Sequence, residues 1–231
     1  MHQLRDAAVL DYETGTRRFS FVKSIYGGKV TKKQFAVAQY MKCCFCEAVF
    51  DANVAGDVEH YRPKKSVTTN AGAVYPGYYW LAYEFSNLFY SCPDCNQYKK
   101  KNWFPLGVEA NRARSHHQNE NFERPLLLSP GGPLNPRRHI RFDRDFPVGV
   151  TREGQTTIRI LGLDREPLNR QRRKILARLE ADRNVVKLLG ADPRPEAQAE
   201  VDRANLALAE AVLPSAEFSA AAQDYLLGWR A

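Results

Sequence analysis

Four of the five cysteines fall in two Cys-x-x-Cys pairs, Cys43/Cys46 and Cys92/Cys95. Two thiolates separated by two residues form a tight turn that clasps one side of a tetrahedral zinc, so two such pairs can close a whole coordination sphere. Between the pairs lies Val58-Glu-His-Tyr-Arg-Pro-Lys64, where a carboxylate and an imidazole are adjacent, and Asn96 and Lys99-Lys-Lys101 follow the second pair directly. A zinc clasp that brackets a Glu-His pair, an Asn and a run of lysines has the parts for breaking a phosphodiester.

That chemistry needs a nucleophile, relief of charge on the phosphorane and help for the departing oxygen. A neutral imidazole takes a proton from water near pH 7, which makes His60 the candidate general base. Glu59 and the side-chain oxygen of Asn96 are hard ligands suited to a catalytic Mg²⁺ or Mn²⁺, which would polarise the scissile phosphate. Asn87 can brace the connecting loop and orient His60 from behind. Arg62, Lys99 and Lys100 are candidates for phosphate contact, as are Arg172 and Arg173 in the C-terminal region. A thioredoxin-like use of the Cys pairs is disfavoured, because no βαβ pattern surrounds them. Cys44 is left outside the zinc set.

These groups need elements to hold them. Thr31 reads as the N-cap of a helix through Met41, with Phe35, Ala38 and Met41 on one face, delivering the chain to Cys43. Val54 to Val58 reads as a short strand running into Glu59-His60, and Ser66 to Val74 as a second around the Asn70-Ala71-Gly72 turn. A helix from Asp94 or Cys95 would carry Asn96, Lys99 and Lys100. The aromatic stretch from Tyr75 to Phe89 reads as packing around a small metal domain rather than as a base-stacking surface. A short buried strand is expected in Arg124 to Pro130, and strands at Ile140 to Phe142 and Thr156 to Leu161. From Asp164 the composition turns to Ala, Leu, Arg and Glu at helical spacing: Arg165 to Leu189, Glu196 to Leu213 and Ser215 to Trp229. His116-His117 reads as a surface-loop pair, and metal binding by it is the lesser reading, since no carboxylate or Cys is spaced to join it in sequence.

The expected class is therefore α+β: a zinc-stabilised ββα core at residues 41–107, an N-terminal extension at 1–40, an irregular and β-containing connection at 108–163 and a helical region at 164–231. Lys plus Arg number 34 against 26 acidic residues, a net charge of +8, which favours a polyanionic partner such as DNA or RNA. Unpaired cysteine usage and the lack of a long apolar run point to a soluble cytoplasmic protein.

The same residues carry a family resemblance. Cys43-x-x-Cys46, Glu59-His60, Asn87-Leu88 and Cys92-x-x-Cys95-Asn96-x-x-Lys99 resemble the HNH (ββα-metal) endonucleases that hold a four-cysteine zinc. The resemblance implies His60 as general base, Asn87 as the middle Asn, Asn96 where many members place the last His, and Cys43, Cys46, Cys92 and Cys95 as zinc ligands. Glu59 stands where Asp is commoner and Asn96 replaces a His, which favours ligation of Mg²⁺ or Mn²⁺ through oxygen. Val58 to Lys64, Tyr79 to Leu88 and Glu123 to Pro130 resemble more narrowly the HNH nucleases of bacterial anti-phage systems, the Septu (PtuB-like) and retron-associated groups. That implies a defence role beside an ABC-type ATPase. The reading from another class is a zinc-stabilised nucleic-acid-binding or adaptor module in which the Glu59-His60 pair is incidental.

Overall fold

The computed structural model describes residues 1–49 and 56–231. Two short helices, α1 (His2–Ala7) and α2 (Val9–Glu13), open the chain, and α3 (Lys23–Gly27) and α4 (Lys29–Ala38) follow. Gly28 caps α4, three residues before the Thr31 cap that the sequence suggests, and the helix ends at Ala38 because Tyr40 and Met41 take left-handed backbone angles. That reversal turns the chain back into Cys43.

Strand β1 (Asp57–His60) pairs antiparallel with β4 (Leu88–Ser91), with Glu59 opposite Phe89 and His60 opposite Leu88. The start of the expected strand, at Val54, lies outside the described residues. Between them, β2 (Val67–Thr69) and β3 (Gly72–Val74) form a hairpin over the Asn70-Ala71 turn, where Gly72 has φ +113°. After β4 the chain enters a π-helical stretch, Asp94–Lys100, closed by Lys101 N–H donating to Asn96 O. A helix was expected here; the wider π turn is a form that recurs at functional sites.

Strands β5 (Ile140–Asp143) and β6 (Phe146–Gly149) make a third antiparallel pair. The stretch expected as a strand from Thr156 to Leu161 is instead helical, within α5 (Arg152–Leu161). Thr151 caps its N-terminus by accepting from Gly154 N–H, and Gly162 ends it in the left-handed conformation, so the two caps override the alternating Ile158 and Ile160. Arg124 to Pro130 buries Leu126, Leu127 and Leu128 but contributes only an isolated bridge, Leu106 to Pro125, among the described residues.

The C-terminal helices fall where helical spacing puts them: α6 (Glu166–Leu189), α7 (Pro195–Glu210) and α8 (Ser219–Leu226). Leu168, Arg172, Leu176 and Leu179 form the buried face of α6. The largest apolar core draws on residues from Ala36 to Ala221, with Cys43, Tyr61, Phe104, Leu127, Leu161 and Phe218 all inside it. Strands and helices of every region meet there, an α+β arrangement around a four-cysteine cluster. No helix among the described residues is long and apolar enough to cross a membrane.

Candidate functional site

The four thiols converge as their spacing suggests. Sγ atoms of Cys43, Cys46, Cys92 and Cys95 all lie within 4.8 Å of one another. Cys46 and Cys92 Sγ are 3.9 Å apart, close to the roughly 3.8 Å edge of a tetrahedron with Zn–S bonds of about 2.3 Å. Backbone N–H groups aim at the sulfurs: Cys92 N–H donates to Cys43 Sγ at 3.4 Å and Cys95 N–H to Cys92 Sγ at 3.4 Å. The donor set, spacing and N–H···S bonds fit a structural zinc. Cys44 is not one of the four converging thiols, although its side chain adjoins Cys43; its N–H donates to Tyr90 O.

Helix α6 adds charge to the cluster. Arg165 Nη2 reaches Cys95 Sγ at 3.8 Å. Burial works against its cationic form, yet the neighbouring Cys95 and Cys46 thiolates push its pKa up. A tetrathiolate zinc carries about two net negative charges, and Arg165 with the nearby Arg172 supplies two positive ones. Arg172 is 1% exposed. Its Nη1 donates to Leu163 O at 2.9 Å and Asn169 Oδ1 at 2.8 Å, and its guanidinium lies over the Phe142 and Phe218 rings.

A cleft of about 350 Å³ opens on the other side of β1, lined by Asp57, Glu59, His60, Lys64, Lys65, Asn96 and Lys101 among others. His60 is buried at its inner end. Its Nε2 lies 2.9 Å from Ala82 O, and a carbonyl only accepts, so Nε2 carries the proton and Nδ1 holds the lone pair. Lys64 Nζ donates to that Nδ1 at 3.1 Å. Burial first, then the Lys64 charge, pushes the His60 pKa down to about 3, so the ring is neutral throughout the physiological range. Lys64 is itself lowered to about 8, by burial, and sits 4.6 Å over the Tyr26 ring from α3.

Glu59 is buried beside it. Its Oε1 accepts from Lys100 Nζ at 2.5 Å, and the same ammonium donates to His60 O at 3.0 Å. Burial raises the Glu59 pKa and Lys100 opposes that rise. Asn87 is buried with all of its amide used: Oδ1 accepts from Arg62 N–H at 2.7 Å, and Nδ2 donates to Arg62 O at 3.0 Å and Leu81 O at 3.2 Å. It braces the two loops that flank His60. The expected direct orientation of the ring falls instead to Ala82 O.

The structure thus brings Glu59, His60 and Asn96 to one cleft and the four cysteines to one cluster. It corrects several of the expected phosphate contacts. Arg62 is turned inward, donating to Glu123 Oε2 at 3.1 Å and Glu120 O at 3.2 Å and lying over three aromatic rings. Lys100 is fully buried on Glu59. Arg172 is interior, and Arg173 pairs with Asp145 at 2.6 Å and with Glu166. For Arg62, Lys100 and Arg172 a carboxylate, carbonyl or ring inside the fold takes the charge, whereas Arg173 stays exposed in surface ion pairs. Lys99 is exposed, outside the cleft lining, and a Cβ at Gly162 would meet its Cε at 3.1 Å. Lys64, Lys65 and Lys101 were not singled out from the sequence, although they belong to the basic runs that follow His60 and Asn96. Ala82 had no sequence signal, because its role is played by a backbone carbonyl.

The chain is similar to the Septu protein PtuB of Bacillus mycoides (strain KBAB4), with 37% identity over 145 residues. The match covers 60% of this chain and 48% of that protein, so the chain spans about half the length of the curated relative it matches. No protein-family model matches the chain. No solved structure matches it.

Proposed function

We propose that this protein is a metal-dependent HNH endonuclease that hydrolyses phosphodiester bonds in DNA, with residues 41–107 as the catalytic module. The observation that carries the reading is His60: a neutral, rigidly held imidazole whose Nδ1 lone pair accepts from Lys64 in a lysine-lined cleft shared with Glu59 and Asn96. The β1–β4 pair followed by the Asp94–Lys100 helix supports a ββα core, with a zinc on the four thiols holding the helix against the strands.

In this reading an entering phosphate draws the Lys64 ammonium off His60 Nδ1. The freed lone pair then accepts a proton from water as its oxygen attacks phosphorus and the bond to the 3′ oxygen breaks. Glu59 and Asn96 would hold a Mg²⁺ or Mn²⁺ ion, whose contribution is to stabilise charge on the phosphorane and the leaving oxygen. Lys65 and Lys101 line the cleft where the flanking backbone would pass. Ala82 fixes the imidazole tautomer, and Asn87 keeps the loops on either side in register. Similarity to a Septu protein supports a place in anti-phage defence, and the resemblance of the motifs to that group supports an ABC-type ATPase as partner.

A second reading has its own observation. Glu59 is already neutralised by Lys100 and His60 Nδ1 is already occupied by Lys64, as expected of a zinc-stabilised nucleic-acid-binding or adaptor module that does not cut. Glu59→Gln separates the two. As a metal ligand, Glu59 supports cleavage that a chelator stops, and the variant cuts at least about 100-fold more slowly, the scale of losing one charge-stabilising group. Equal cleavage by variant and wild type would remove Glu59 from the reaction, and intact DNA binding without cleavage by either would favour the adaptor.

A further inference from the structure

Two of the five histidines meet one carboxylate, and a third stacks on one of them, at the surface where α1 touches the loop at residues 112–119. Asp6 Oδ1 lies 3.0 Å from His117 Nε2, and Asp6 Oδ2 lies 3.4 Å from His116 Nε2. One ligand atom from each of the three residues falls within 4.8 Å of the other two. His2 stacks flat on His116, ring centroids 3.9 Å apart. Nitrogen and oxygen ligands at about 2.0–2.2 Å from a tetrahedral zinc stand roughly 3.4 Å apart, so small shifts of these side chains would let all three reach one ion.

A second feature separates this group from a chance surface cluster. His116 Nδ1 is hydrogen-bonded to the Tyr79 hydroxyl, and Tyr79 is fully buried. A polar partner on the far ring nitrogen, fixed in the interior, is how a ligating histidine is oriented, and it leaves His116 Nε2 facing Asp6. Helix α1 has six residues and buries none of them, and a helix that short does not persist by itself. Its attachments among the described residues include the imidazole stack, the edge of His2 on Tyr79, the Asp6 contacts and the Arg5–Glu13 pair.

We propose that Asp6, His116 and His117 form a second metal site, separate from the four cysteines, that takes Zn²⁺ or a similar divalent transition metal, with His2 placed to swing from its stack into the fourth position. The mixed imidazole and carboxylate set suits such ions rather than Mg²⁺. The ion clips α1 to the turn at Tyr79–Leu81, whose next residue is Ala82, the carbonyl that holds His60. Nothing in this site depends on what the cleft at His60 does.

Protein carrying its cysteine-bound zinc is titrated with Zn²⁺ by calorimetry, wild type beside His117→Ala, Asp6→Ala and Tyr79→Phe. Wild type is expected to bind one further equivalent, with affinity reduced roughly tenfold or more in each variant. His117 and Asp6 are exposed and Tyr79→Phe keeps the ring, so folding survives. The Phe variant tests orientation of His116 without removing a ligand. Amide exchange across residues 2–13 slows on adding Zn²⁺ to wild type and not to His117→Ala. Co²⁺ in the site gives weak visible bands without thiolate charge transfer. No further equivalent in wild type, equal further binding by wild type and His117→Ala, or a thiolate band on the added Co²⁺ overturns the proposal.

Discussion

At the scale of single residues, the site depends on what holds one imidazole. His60 is pinned between a carbonyl that fixes its proton on Nε2 and an ammonium that occupies Nδ1. Burial and that ammonium keep its pKa near 3, below the usual value near 6.5. Between those values the unfolded chain binds the proton and the folded one does not. His60 therefore contributes stability that is complete above about pH 6.5 and is lost as pH falls toward 3. The loss by pH 5 is about 2 kcal/mol. Thermal midpoints of wild type and His60→Gln compared from pH 7 to pH 5 check it: the wild type should fall more steeply, and parallel curves would refute it. Asn87 supports the same place through three backbone contacts, and Asn87→Ala takes those bonds from Arg62 N–H, Arg62 O and Leu81 O. About 2–3 kcal/mol of destabilisation is expected in denaturant titrations. Glu59, His60, Asn87 and Asn96 were legible in the sequence because their types and order carry chemistry. Ala82 was not, since any residue supplies a carbonyl, and Lys64 was hidden in a basic run whose direction only the fold decides.

At the scale of elements, the start of α6 meets the four-cysteine cluster. From the sequence, Arg172 and Arg173 on α6 are candidates for phosphate contact within a basic run that reads equally as a solvated face. Folding sends Arg165 to Cys95 Sγ and buries Arg172, because a dense group of thiolates beside an apolar core is where cations of α6 gain most. Arg165→Gln should release zinc to a chelator about 10-fold faster with a small change in fold, since it supports the ligands without being one. An unchanged release rate would separate the helix from the metal. Arg172→Ala leaves carbonyls and rings that surrounded a buried cation, and a loss on the order of 3 kcal/mol is expected by chemical denaturation. Helix α5 shows the limit of reading pattern alone. Ile158 and Ile160 alternate like a strand, but Thr151 and Gly162 mark a helix, and the caps win where the segment is buried on most sides.

At the scale of the whole molecule, one residue near the end of the chain ties the C-terminal helices to the rest. Asp224 on α8 is fully buried and accepts from Arg137 Nη1 at 2.7 Å, Arg141 Nε at 2.8 Å and Phe142 N–H at 2.7 Å. Burial alone would raise its pKa, yet the two arginines hold it below the usual carboxylate range. Asp224→Ala strands two partly buried guanidinium groups and should cost about 3–5 kcal/mol in a single cooperative transition. An unaffected midpoint would mean that α8 adds little to the core. The net charge of +8 is spread over this shared body. Lys64, Lys65 and Lys101 concentrate part of it at the cleft, which is the face a polyanion would meet in the proposed reading. The most direct test of the cleft's role is supercoiled plasmid incubated with Mg²⁺, Mn²⁺ or chelator, wild type beside His60→Ala of equal zinc content. Metal-dependent nicking by wild type, reduced about 100-fold or more in the variant, is the expected result. Cleavage by folded, zinc-loaded His60→Ala at the wild-type rate would contradict it.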